Sequence, residues 1–133
     1  MTPEQRDILV NREKERALHY LSQADEMLSL GHWDLAANRQ YYACFHAVQA
    51  LFVRKGIGGQ THKGIINQFS LHFVKSGLVS MEQGSFLSRL MQLRQKADYN
   101  CYYDVTETEA KDMSAPTHRF IDTMISLIDN REI

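Results

Sequence analysis

The sequence predicts an all-α protein, and three observations predict it. Apolar residues recur at three- and four-residue spacing through most of the chain, polar capping residues stand at the heads of those segments, and no stretch alternates polar and apolar residues as an exposed strand does. With 133 residues, 44% of them hydrophobic and only two prolines, the chain has the size and the apolar content of a single domain with one core.

Thr2, Pro3 and Gln5 open the first helix as a capping box: Thr2 and Gln5 each satisfy an exposed backbone N–H, and Pro3 presets the first turn. The helix is predicted to run to about Leu30, with Val10, Ala17, Leu21, Ala24 and Leu28 on one stripe and Glu13, Glu15, Asp25 and Glu26 off it. Gly31 takes the left-handed conformation that ends a helix, and the short GHWD connection at 31–34 returns the next helix antiparallel.

The second helix is predicted from about Trp33 to Lys55. Its YYACFHAVQALFV stretch is apolar or aromatic nearly all round, which marks a central, buried helix, and Ala36, Ala43, Ala47 and Ala50 let neighbours approach closely. Arg54 and Lys55 suit the negative end of the helix dipole before Gly56, where GIGGQ begins a flexible loop. Thr61 caps a third helix, HKGIINQFSLHFVKS, ending at Gly77, with Ile65, Ile66, Phe69, Leu71, Phe73 and Val74 expected in the core.

Ser80 and Gln83 repeat the capping-box spacing and start a fourth helix, in which Phe86, Leu87, Leu90, Leu93 and Ala97 keep a helical period to about Tyr99. NCYYDV breaks it. Thr106 and Glu109 open the last helix, which runs to about Asp129 with Met113, Phe120, Ile121, Met124, Ile125 and Ile128 inside. Pro116 removes one backbone donor and clashes with the preceding turn, so a kink or short break is expected there.

Several classes of function are set aside by composition. No run of about 18 apolar residues is present to span a bilayer, and the N-terminus is charged, so a cytoplasmic protein without a membrane is expected. Cys44 and Cys101 have neither the number nor the spacing of a disulfide framework and read as free thiols. His19, His32, His62, His72 and His118 are scattered without metal-ligand spacing, and GIGG lacks the strand and lysine of a phosphate loop. No metal or cofactor is expected.

The net charge of −1 conceals an uneven distribution: residues 35–99 carry eight Lys/Arg against two Asp/Glu, while acidic residues predominate on both flanks. A basic centre attracts RNA, a nucleotide or an acidic partner through its local field, unless the flanks fold back and neutralise it. Within that centre Arg39, Tyr42 and His46 stand at i, i+3 and i+7 and form a polar line on an otherwise apolar helix. On a purely structural account Arg39 pairs with Asp98 between helices 2 and 4, and Tyr42 and His46 complete a buried hydrogen-bond network; on the functional account the three bind a ligand.

Three segments, AANRQYYACFHAVQALFVRKG at 36–56, THKG at 61–64 and LRQKADYNCYYDVT at 93–106, resemble landmarks of HEPN-domain proteins, and more narrowly of the small stand-alone prokaryotic branch with an R-x-x-A-D-Y segment. The resemblance implies an up-and-down bundle of four to five antiparallel helices, a homodimer, and a minimal nucleotidyltransferase as partner protein, in a family that includes toxin ribonucleases. The family's catalytic signature is an arginine followed after four to six residues by a histidine. Arg94 fits the arginine, but Tyr99, Asn100 and Cys101 stand where the histidine belongs. Tyr99, with an ordinary pKa of about 10, is a poor base.

The reading that follows is a binding and regulatory protein of a nucleotidyltransferase-linked, toxin–antitoxin type system that binds a nucleotide or RNA. The alternative is a metal-independent endoribonuclease toxin using Arg94 with Asp98, Tyr99 or His46. Arg94 and Asp98 either form a simple i,i+4 pair or act together, with Arg94 forked onto a phosphate and Asp98 orienting it. Lys63 is either a surface charge or part of an anion site at the head of helix 3; Tyr102 and Tyr103 either line a site, stacking on a base, or form a dimer contact.

Overall fold

A computed structural model describes residues 1–58 and 61–130. The described residues contain helices and no strands, in the order α1 (Pro3–Leu30), α2 (Trp33–Lys55), α3 (His62–Phe69), α4 (Met81–Tyr99), α5 (Glu107–Asp112) and α6 (Ser114–Asp129). Part of the GIGGQ loop, at 59–60, lies outside the described residues.

Capping chemistry sets the ends. Thr2 and Gln5 form the complete reciprocal box at the head of α1, and Thr106 and Glu109 form it at the head of α5. At α4 only half of the expected box is made: Ser80 Oγ accepts from Gln83 N–H, but the Gln83 side chain donates to Thr123 Oγ1 on α6 at 3.0 Å. Gly31 and Gly56 end α1 and α2 in the left-handed conformation, as their positions predict.

Helix α2 is the spine. It packs along α1 on one side and against α4 and α6 on others, and Ala36, Ala43, Ala47 and Ala50 are fully buried where those neighbours come close. Tyr41, Leu51, Phe52, Phe69, Leu90, Phe120, Ile121, Met124 and Ile128 fill the main core. A smaller cluster of Ala36, Ala37, Leu93, Val105 and Ala110 seats the loop after α4.

Two departures from the sequence expectation are local. The third helix widens after Phe69 into a π turn over Ser70–Val74, closed by Lys75 N–H donating to Ser70 O at 2.9 Å. Leu71, expected in the core, is 51% exposed, while Phe69 and Phe73 on the same segment are buried. The last predicted helix divides into α5 and α6 at Met113, three residues before Pro116, which stands in the first turn of α6 where its missing donor is tolerated.

Candidate functional site

Helix α2 presents two adjacent stripes to two different neighbours. Asn38, Tyr41 and Phe45 face α4 and the start of α3, whereas Arg39 and His46 face α1, and Tyr42 lies between the stripes. On α4, Arg94 follows Leu87 and Leu90 at i+7 and i+4, on the helix's buried stripe, so the helix turns a guanidinium inward where a leucine would ordinarily pack.

Arg94 is 5% exposed. The central carbon of its guanidinium lies 5.1 Å from the centre of the Tyr41 ring, 5.6 Å from Tyr42 and 5.7 Å from Tyr99. Nη1 reaches Asp98 Oδ2 at 3.4 Å, a long contact, and the buried Nε has no hydrogen-bond partner. Burial opposes the charge, but Tyr42, Tyr99, Asp98 and Tyr41 outweigh it and raise the pKa above its ordinary value. Arg94 is therefore a fixed cation held mainly by ring faces, a contact worth about 0.5–2 kcal/mol per favourable pair.

His62 meets the same tyrosines from the other side. It is the first residue of α3, placed by the Thr61 cap, and its Nδ1 lies 2.5 Å from the Tyr41 hydroxyl. Its ring stacks on Phe45 at 4.6 Å between centres and sits edge-on to Tyr42 at 6.2 Å. Burial, and then the charge of Arg94, hold its pKa below the ordinary 6.5, so it is neutral at neutral pH. Burial also pushes the Tyr41 phenol up to about 12, so it keeps its proton.

Sequence reasoning set His62 among the scattered histidines and did not single out Asn38, Tyr41 or Phe45. The signal for His62 was present in the THKG segment at 61–64, because a capped helix start fixes the direction of its first side chain.

Arg39 does not pair with Asp98. Its Nε donates to Gln23 Oε1 on α1 at 2.8 Å, its Nη1 to Asn38 Oδ1 at 2.5 Å, and its guanidinium lies 5.4 Å from the centre of the Tyr20 ring. Asp98 is reached instead by Asn38 Nδ2 and by Arg94, each at 3.4 Å. The physical reason is rotation: position 39 of α2 looks toward α1, and position 38 looks toward α4. His46 likewise turns to α1, with Nδ1 2.6 Å from Glu13 Oε2 and its ring stacked on Tyr20 at 5.3 Å.

The cluster reaches the surface through Asp98, whose side chain is 31% exposed, and through Tyr99, which is 77% exposed. Lys63 is exposed on the first turn of α3, and Tyr102 projects from the loop after α4 at 96% exposure. An acidic flank offsets part of the basic centre where Arg54 pairs with Asp7, and Glu13 is the hydrogen-bond partner of His46. Among the described residues, neither Arg39 nor Arg94 forms an ion pair with a carboxylate of either flank. Among those residues, too, no three His, Cys, Asp or Glu gather to hold a metal ion, and no helix is long and apolar enough to cross a membrane.

The HEPN domain model matches residues 10–128. A UPF0332 protein of Thermotoga maritima is 33% identical over 117 residues, covering 88% of this chain and 89% of that one. Two proteins of Methanocaldococcus jannaschii, each named "putative toxin", are similar as well: one is 27% identical over 80% of this chain and 73% of its own length, the other 36% identical over 65% and 64%.

Proposed function

The chain belongs to the HEPN family, and from that premise we propose that it is the HEPN component of a toxin–antitoxin type system, binding the phosphate of an RNA or nucleotide at Arg94. The observation that carries this reading is the state of Arg94: a buried, fixed cation whose Nε lacks a partner and whose one carboxylate contact is long. Leaving such a donor unmet costs about 1–3 kcal/mol, and a phosphate oxygen is the acceptor a planar guanidinium takes best. The names of the two Methanocaldococcus jannaschii relatives support the toxin–antitoxin setting. A homodimer and a minimal nucleotidyltransferase partner complete the proposal.

A second reading has its own observation in His62. The imidazole missing from the residues after Arg94 is supplied from the head of α3, sharing Tyr41 and Tyr42 with Arg94. If Nδ1–H donates to the Tyr41 oxygen, Nε2 is left with a lone pair. That atom would take the proton of a ribose 2′-hydroxyl as the oxygen attacks phosphorus, the bond to the 5′-oxygen would break with that oxygen taking a proton from water, and Arg94 would balance the charge on the phosphoryl oxygens. The neutral state of His62 suits a base.

One experiment separates the two. Purified protein is mixed with total cellular RNA at low salt with a chelator, and binding of a labelled oligoribonucleotide is followed by fluorescence anisotropy, using wild type, Arg94→Ala, His62→Ala and His46→Ala proteins shown to be folded. Binding without cleavage, lost in Arg94→Ala, supports the binding protein. Cleavage lost in both Arg94→Ala and His62→Ala, but kept in His46→Ala, establishes the nuclease. A wild type that neither binds nor cuts overturns both.

A further inference from the structure

Arg39 stands outside the cage of Arg94, yet two side chains connect them. Asn38 Oδ1 accepts from Arg39 Nη1 at 2.5 Å, Asn38 Nδ2 reaches Asp98 Oδ2 at 3.4 Å, and the same Asp98 oxygen is the acceptor for Arg94 Nη1. The rings beneath are continuous as well. Arg39 lies on Tyr20, whose centre is 6.1 Å from that of Tyr42, and Tyr42 lies under Arg94.

The kind of partner each arginine has is informative. A guanidinium paired with a carboxylate has its charge balanced by that partner. Arg39 is held instead by two neutral amides, Gln23 on α1 and Asn38, which fix its plane and leave the charge intact; Nη2 has no hydrogen bond among the described residues. Glu13 on α1 is engaged by His46 at 2.6 Å and Arg16 at 3.3 Å. Asp98 thus touches Arg94 directly and Arg39 only through Asn38, and both of its contacts are long.

Resting on the reading of Arg94 as a phosphate site, we propose that Arg39 forms a second anion subsite of the same site, so that the ligand is a phosphodiester-linked chain of at least two nucleotides and not a mononucleotide. Arg94 takes one backbone phosphate and Arg39 the next, and exposed Tyr99, lying over Arg94, offers a face on which a base stacks.

The test compares 5′-uridine monophosphate with the 5′-phosphorylated dinucleotide of 2′-O-methyluridine, which cannot be cut through its 2′-oxygen, by titration calorimetry at low salt. Wild type is expected to bind the dinucleotide at least about tenfold more tightly. In Arg39→Gln that gain disappears while uridine monophosphate affinity stays within about twofold, and the slope of log affinity against log salt falls by about 0.7, the share of one single-strand phosphate contact. Arg39→Lys, which restores the charge without the fork, recovers most of the gain and guards against a folding defect in Arg39→Gln. Equal weakening of both probes by Arg39→Gln overturns the subsite and makes Arg39 a positioning residue acting through Asn38. A wild type that binds both probes equally, with binding lost in Arg94→Ala, also overturns the subsite and leaves the Arg94 reading standing. A wild type that binds neither overturns both.

Discussion

The Tyr41 hydroxyl lies 2.5 Å from Nδ1 of His62, tying a fully buried ring of α2 to the first residue of α3. That bond joins pH to stability. Burial and the Arg94 charge lower the folded-state pKa of His62 below 6.5, so between that lowered value and 6.5 the unfolded chain binds more protons than the folded one. Stability from this group is complete above about pH 6.5 and is lost as pH falls through the lowered value. Urea titrations between pH 8 and pH 5 are expected to show wild type losing stability on acidification more steeply than His62→Gln, whose amide bonds Tyr41 without titrating. Equal slopes would mean that His62 is not held neutral by its surroundings.

Arg94→Met separates stability from function. The buried guanidinium leaves its Nε donor unmet, which costs about 1–3 kcal/mol, whereas methionine fills similar volume with no polar group to satisfy. The variant is expected to match or exceed the wild-type melting temperature by a few degrees, about 0–1 kcal/mol, while phosphate binding falls at least about tenfold. A large drop in melting temperature would show that the contacts to Tyr41, Tyr42 and Tyr99 are worth more than the unmet Nε donor costs.

Asp98→Asn tests the balance of charge. Asp98 contacts both Arg94 and Asn38, but each contact is 3.4 Å long, so its negative charge opposes an incoming phosphate more than it organises the site. Asparagine keeps an oxygen for Arg94. Affinity for a phosphate probe is expected to rise about threefold to tenfold at low salt and to converge on wild type as salt increases. Weaker binding would assign Asp98 the orienting role that the sequence also admits.

What could be read from sequence follows the range of the interactions involved. The caps at Thr2, Thr61, Ser80 and Thr106 are made within three residues, so their positions alone placed four helix starts. The polar line of Arg39, Tyr42 and His46 is also set by spacing along one helix. Which neighbour that line meets depends on how α2 is rotated, and a turn of one residue decides whether Arg39 or Asn38 looks toward Asp98. The approach of His62 to Arg94 joins residues 32 apart in the chain through Tyr41, a ring that by pattern reads only as core.

The π turn after α3 makes the most local of the predictions, at Gly84 on α4. A methyl group built there would lie 2.7 Å from Cγ2 of Val74, the last residue of that turn, with Cγ1 at 3.6 Å and Cβ at 3.7 Å. Valine in a helical segment has one strongly preferred rotamer, so the contact is not relieved by a simple rotation. Alanine in a helix interior is ordinarily worth about 1 kcal/mol over glycine, whereas forcing extra volume into a packed contact costs about 1–3 kcal/mol. Gly84→Ala is therefore expected to lower the melting temperature by a few degrees although the substitution favours the helix. The pair Gly84→Ala with Val74→Ala removes the clash and should be more stable than the sum of the two single effects, by about 1 kcal/mol in a double-mutant cycle. A higher melting temperature for Gly84→Ala alone would show that α4 and the π turn stand further apart than their contact implies.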